Sequence, residues 1–401
     1  MSTAAAAPVA GSQAAPGGEP YRLMVVDDSA IVRGLLIRSL EADPEVTVVA
    51  SASNGEIALA ALGRHDVEVV ILDIEMPVMD GLTALPKMLA AKPGLKVLIA
   101  SSLTRRGAEI SLRALAAGAA DYLTKPGTSA LTSADEFKQE LLAKVKALAH
   151  AGRSALGITK PRRRPQLPPR VLEPAPGQAK ARVVERPAPA PAPAQRRVLA
   201  LRPMSHGPAP EVIAIGSSTG GPQALFRVLA TFKGAVKQPI FITQHMPATF
   251  TTILAEHVAN ASGYPSTEAV DGEPVRAGHI YIAPGDFHMT VEAGQGQNVV
   301  RLNKGPPENF CRPSVDPMLR SLSAIYGERV FCAILTGMGH DGLAGSEVVV
   351  AAGGTVIAQD QSTSVVWGMP GAVATAGLCA AVLPLDEIGP FIGKAAGRGG
   401  S

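Results

Sequence analysis

The sequence predicts an α/β protein of two domains, an N-terminal doubly wound five-stranded sheet and a C-terminal α/β domain with a mainly parallel sheet. Three observations carry this. Short β-branched runs alternate with helix-like stretches from Tyr21 onward, and the alternation resumes near Glu211 after an interruption rich in Pro, Ala and Arg. A chain of 401 residues also exceeds one ordinary compact domain.

The expected order in the first half is strand 22–26, helix 29–42, strand 46–51, helix 55–63, strand 68–72, helix 81–91, strand 96–100, helix 105–116, strand 119–123 and helix 133–149. In the second half, strands are read at 212–216, 240–244 and 331–335, with a helix beginning near Gln223. The resulting divisions are a disordered tail over 1–20, a first domain over 21–145, a linker over 146–210 and a second domain over 211–397. No apolar run is long enough to span a membrane, and the first 20 residues lack the basic and apolar regions of a signal peptide.

A formal charge of +3 and a pI near 8.7 would fit a nucleic-acid binder if the charge lay on a fold. It lies elsewhere. Residues 151–210 hold 13 prolines and 12 Lys or Arg against two Glu, a local +10 that leaves −7 for the rest. Such a segment cannot bury enough apolar surface to offset its ordering entropy, so it reads as an extended, solubilising tether. Cys311, Cys332 and Cys379 are odd in number and widely spaced, so the thiols are expected to be buried or incidental in a reducing cytoplasm.

In a doubly wound sheet, ligands gather outside the carboxyl ends of the strands. Asp27 and Asp28 follow the first strand and Asp73 follows Val69–Leu72. Adjacent carboxylates repel one another and suit a hard cation such as Mg²⁺, beside which Asp73 is placed to accept a phosphoryl group. Ser101 and Lys125, at two later strand ends, are placed to track the new dianion.

The second half opens with Val212–Gly216 running into Ser-Ser-Thr-Gly-Gly-Pro. Glycines at a strand-to-helix turn expose backbone N–H groups and a hydroxyl together. Ser217, Ser218 and Thr219 all sit in that turn; His245 and Asp341 follow later strands, and His340 adjoins Asp341. A serine, imidazole and carboxylate are the components of nucleophilic acyl transfer. His279 and His288 read as structural histidines. A phosphoacceptor domain joined to an interaction or anion-binding module without turnover is the competing reading.

The stretches VVDDSAIVR, ILDIEMPVMDGL, SSLT and DYLTKP resemble the receiver domain of two-component response regulators. That resemblance implies Asp73 as phosphoacceptor, Asp27, Asp28 and Asp73 as the Mg²⁺ pocket, Ser101 and Lys125 as switch residues, and a chemotaxis histidine kinase as donor. The segments AIGSSTGGP, ITQHMP, GHIYIAPGDFHM, RPSVDPML, ILTGMGHDG and VVWGMPGAV are similar to the catalytic domain of chemotaxis protein-glutamate methylesterases. This second resemblance implies Ser218, His245 and Asp341 as the catalytic residues and the N–H groups of Thr219 and Met338 as oxyanion donors. It also implies ester hydrolysis and glutamine deamidation on methyl-accepting chemotaxis receptors without a cofactor, and inhibition by the first domain until Asp73 is phosphorylated. The protein is then expected in the cytoplasm, reaching membrane receptor arrays through protein contacts, with no nucleic-acid partner and no membrane insertion.

Overall fold

The computed structural model describes residues 19–125, 134–157, 199–203, 208–232 and 234–397. In the first domain, β1 (Tyr21–Val26), β2 (Val46–Ala52), β3 (Val69–Asp73), β4 (Lys96–Ser101) and β5 (Asp121–Thr124) pair in parallel in the order β2-β1-β3-β4-β5. The central runs are buried on both faces, which is why they read as unbroken Val, Ile and Leu. Between them run α1 (Ala30–Glu41), α2 (Gly55–Leu62), α3 (Gly81–Ala91) and α4 (Arg105–Ala116), with α5 (Ala134–Ala155) closing the domain. The first four start at side-chain caps, Ser29, Asn54, Asp80 and Thr104, each accepting the N–H three residues on. The order of strands reverses between β1 and β3, and Asp27 and Asp73 sit at that switch point.

The boundary expected at 145/146 is corrected. Helix α5 continues to Ala155, because Leu141, Val145, Leu148 and Ala149 keep facing the core at helical spacing. Arg153, counted above with the tether, belongs to this domain: its guanidinium pairs with Glu68 and donates to Glu19 O and Pro20 O at 2.8 Å. The last two residues of the expected tail are thereby tied down. Strand β5 starts at Asp121, two residues later than expected, since Ala119 N still bonds back to Ala114 O. At the other end of the linker, Arg202 N donates to Cys379 O and Leu199 packs on the second domain. Residues 1–18 of the tail and 158–198 of the linker lie outside the described residues.

The second domain is built on β6 (Val212–Ser217), α6 (Gly221–Leu229), β7 (Ile240–Gln244), α7 (Ala248–Ser262), β8 (Ser266–Glu268) and β9 (Ile280–Ile282). An antiparallel ribbon of β10 (His288–Ala293) and β11 (Asn298–Asn303) follows. The chain then forms α8 (Val315–Tyr326), β12 (Val330–Ile334), α9 (Leu343–Ala351), β13 (Thr355–Gln359), α10 (Met369–Thr375), β14 (Ala381–Leu383) and α11 (Leu385–Ala396). Seven strands pair in parallel in the order β14-β13-β12-β6-β7-β9-β8, which puts β6 at the centre.

The two domains are packed together. Tyr122 of β5 stacks on Phe250 of α7 with ring centroids 4.5 Å apart, and Gln223 of α6 donates its amide to Leu115 O at 2.7 Å and to Ala119 O. Leu115 stands in the last turn of α4 and Ala119 in the connection to β5, so the Gln223 amide ties α6 to the end of α4 and to the segment that follows it. Val365 of the second domain packs on the first domain's core and lies against Gly220, two residues from Ser218.

Candidate functional site

In the first domain the strand ends bring the expected residues together. One ligand oxygen each from Asp27, Asp28 and Asp73 lie within 4.8 Å of one another. Lys125 Nζ reaches Asp27 Oδ2 at 2.7 Å and Asp73 Oδ1 at 2.9 Å. Burial, seconded by the Asp27 charge, pushes the Asp73 carboxyl above its usual value despite Lys125. Burial also works against the Lys125 ammonium, but the two carboxylates outweigh it and raise its pKa. Three carboxylates against one ammonium leave negative charge over, and an all-oxygen donor set fits a hard divalent cation. Asp73, Ser101 and Lys125 line one cavity of about 140 Å³. The Ser101 hydroxyl is turned to Gly107 O at 3.0 Å, at the start of α4.

In the second domain the register of two strands does the positioning. Ser217 at the end of β6 pairs with Gln244 at the end of β7, so Ser218 and His245 leave neighbouring strand ends in step. Ser217 is fully buried and its hydroxyl donates to Gln244 Oε1 at 2.7 Å, whereas Ser218 is half-buried with a side chain that makes no hydrogen bond among the described residues. The turn itself needs its glycines. Gly220 has φ +76°, and a Cβ on Gly221 would lie 1.9 Å from Gln244 Oε1.

Asp341 reaches this edge from the loop after β12, the strand beside β6. His245 Nε2 and Asp341 Oδ2 are 2.7 Å apart. Asp341 also accepts from Ser314 Oγ (2.7 Å), Val315 N (2.7 Å), Asn309 Nδ2 (2.9 Å), Gly342 N (2.9 Å) and Asp316 N (3.2 Å). Burial alone would raise this carboxyl; His245 and the surrounding donors outweigh that and hold it well below the usual range. Burial likewise opposes the imidazolium, but the bonds to Asp341 and Cys311 push His245 up to about 9.

The structure thus joins His245 to Asp341 and sets Ser218 on the adjacent strand end, but no hydrogen bond joins the serine to the imidazole. His245 Nδ1 instead faces Cys311 Sγ at 3.3 Å. Cys332 and Cys379 are buried, as expected of structural thiols, whereas Cys311 is half-exposed. The N–H groups of Thr219 and Met338 make no hydrogen bond among the described residues, and Ser218 Cβ lies 2.9 Å from where a Cβ on Gly337 would fall. His340 is exposed. His279 bonds Thr267 at 2.8 Å. His288 accepts from Ser314 N at 3.2 Å and so braces the residue that holds Asp341. Asn309, Cys311 and Ser314 were missed from sequence. Ser314 lies within the quoted RPSVDPML segment, whereas nothing local marks the other two.

A receiver-type sheet fused to an α/β sheet with a serine turn, a histidine and a buried aspartate defines a response regulator carrying a hydrolase domain. The CheB methylesterase family matches residues 213–392, and the response regulator receiver domain matches 23–134. The protein-glutamate methylesterase/protein-glutamine glutaminase 1 of Paramagnetospirillum magneticum is 57% identical over 385 residues, covering 96% of this chain and 98% of that relative. The protein-glutamate methylesterase/protein-glutamine glutaminase of Azospirillum brasilense is 58% identical over 405 residues, 98% of this chain and 97% of that one. The Thermotoga maritima CheB methylesterase catalytic domain is 41% identical with a TM-score of 0.45, covering 46% of this chain and 98% of that chain. The chain belongs to the CheB methylesterase family, in the form with an N-terminal receiver domain, and is a hydrolase at the level of that family. No helix among the described residues is long and apolar enough to cross a membrane.

Proposed function

We propose that this chain removes methyl esters from glutamate side chains of methyl-accepting chemotaxis receptors, releasing methanol, and deamidates selected receptor glutamines, under the control of a phosphoryl group on Asp73. The observation that carries the reading is the His245–Asp341 pair at 2.7 Å beside the Ser218 turn. Ser218 Oγ bonds to the ester carbonyl carbon while His245 Nδ1, the nitrogen not held by Asp341, takes the hydroxyl proton. The N–H groups of Thr219 and Met338 receive the developing oxyanion. As the C–O bond to methoxide breaks, the imidazolium returns the proton and methanol leaves; water then cleaves the acyl-enzyme to the free carboxylate. With a glutamine substrate the leaving group is ammonia. No step of this hydrolysis needs a cofactor. Asp341 keeps the imidazole oriented throughout.

In the receiver, Asp27, Asp28 and Asp73 would hold Mg²⁺, which when bound neutralises charge on the incoming phosphoryl oxygens. Asp73 accepts the group from a chemotaxis histidine kinase, Lys125 exchanges its carboxylate partner for a phosphoryl oxygen, and the Ser101 hydroxyl turns from Gly107 toward it. That movement is transmitted at the α4 and β5 face, where Leu115, Ala119 and Tyr122 meet the hydrolase domain. The packing of Val365 between the receiver core and the Ser218 turn supports inhibition by this docked receiver. The protein then works in the cytoplasm at receptor arrays.

Asp73→Asn is expected to abolish phosphodonor stimulation while leaving the unstimulated rate in place. Full stimulation of that variant, measured as methanol release with a small-molecule phosphodonor, contradicts the switch. Gln223→Ala removes the bonds to Leu115 O and Ala119 O; a loss of about 1 kcal/mol raises the undocked population, and the unstimulated rate, about fivefold. An unchanged rate without phosphodonor would place the inhibitory contact elsewhere.

A further inference from the structure

The Glu308–Cys311 turn grips the proposed catalytic pair from both sides. Asn309 Nδ2 donates to Asp341 Oδ1 at 2.9 Å and to Asp316 Oδ2 at 2.8 Å, standing between two buried carboxylates. Two residues on, Cys311 Sγ lies 3.3 Å from His245 Nδ1. With Nε2 committed to Asp341, both ring nitrogens are occupied, and the Ser218 hydroxyl has no partner among the described residues. For the Ser218 hydroxyl to give its proton to Nδ1 in the proposed mechanism, the thiol has first to leave that nitrogen.

The turn carries backbone strain at its tip. Its ends are tied by Cys311 N to Glu308 O at 2.9 Å and Glu308 N to Cys311 O at 3.1 Å. Both central residues have positive φ, +52° at Asn309 and +63° at Phe310. Asn tolerates that region, but a bulky aromatic there is a strained choice. Phe310 is fully exposed at the tip, so its side chain gives back nothing by packing.

We propose that the Glu308–Cys311 turn is a gate on the base: with Cys311 on Nδ1 the imidazole is withheld from Ser218, and catalysis proceeds from the state in which the turn has withdrawn and the serine hydroxyl has replaced the thiol. This rests on Ser218 and His245 having the roles proposed above. It adds a closed state internal to the hydrolase domain, separate from the docked receiver.

The test is turnover of a small acyl ester, p-nitrophenyl acetate, by the full chain with phosphodonor present, so that receiver docking is relieved. Cys311→Ala is expected to raise kcat about fivefold, the loss of one hydrogen bond. Cys311→Ser keeps a hydroxyl able to sit on Nδ1 and is expected to fall between the two. The ¹⁵N resonance of His245 Nδ1 should shift in Cys311→Ala, which checks the contact without relying on activity. A folded Cys311→Ala with wild-type or lower kcat, or an unmoved Nδ1 resonance, overturns the gate. Turnover kept in Ser218→Ala overturns the serine reading instead; if Cys311→Ala then loses it, the thiol is the nucleophile and both readings fall.

Discussion

Ser218→Ala is expected to lower turnover of methylated receptor by on the order of 10⁶-fold, to the residue left by the oxyanion site and substrate binding. The size follows from position. Ser218 is half-buried at the central strand end with its hydroxyl uncommitted, while Ser217, one residue before, is buried and spent on Gln244. Ser217→Ala is therefore a different experiment: it removes a buried bond to Gln244, whose amide also donates to Ser218 O at 3.0 Å, and so costs stability and alignment. Stopped turnover in Ser218→Ala with a normal melting transition and normal Asp73 phosphorylation is the result that supports the nucleophile. A loss of similar size in Ser217→Ala, with Ser218→Ala still active, would exchange their roles.

Asp341→Asn is expected to cost about 10⁴-fold in kcat. Among the described residues the five other hydrogen bonds to this carboxylate all come from donors, on Ser314, Val315, Asn309, Gly342 and Asp316. An amide NH₂ in its place must face either one of these donors or the imidazole N–H, so the ring loses its orientation and its tautomer. The pH dependence has a definite sign. His245 is held up at about 9, and the base works only when neutral, so kcat/KM should rise with pH through 7 to 9 in the parent protein. Without the Asp341 charge the imidazolium loses support, and the acid limb of the remaining activity moves to lower pH. A limb that stays in place would show that Asp341 does not set the ionisation of the base.

Much of the fold was legible because its strands are buried on both faces. Val212–Ile215 and Val69–Leu72 are continuous apolar runs that give way to Gly-Ser and to Asp, and the candidate chemistry begins where each run ends. Asp27, Asp73, Ser101 and Lys125 were singled out in this way, and so was the serine turn, although preferring one of its hydroxyls took the family likeness. The end of α5 beyond residue 149 was obscured by composition: the Ala- and Gly-rich stretch before Gly157 reads as linker, and it is the pairing of Arg153 with Glu68 that ties it to the domain. Asn309, and the closeness of Cys311 to His245, were not legible for a different reason. Their partners are 32 and 66 residues away, and a two-residue turn has no periodicity to announce it. The strand-end rule finds what strands carry, whereas a loop that folds back over the sheet edge is placed by tertiary packing alone.

Phosphoryl-controlled serine catalysis is tested most directly by methanol release from methylated receptor by the full chain, measured with and without phosphodonor for the parent protein and Ser218→Ala. Release is expected to be accelerated by phosphodonor in the parent and abolished in both conditions by Ser218→Ala. Absence of methanol from the parent protein, or equal release from Ser218→Ala, would contradict it.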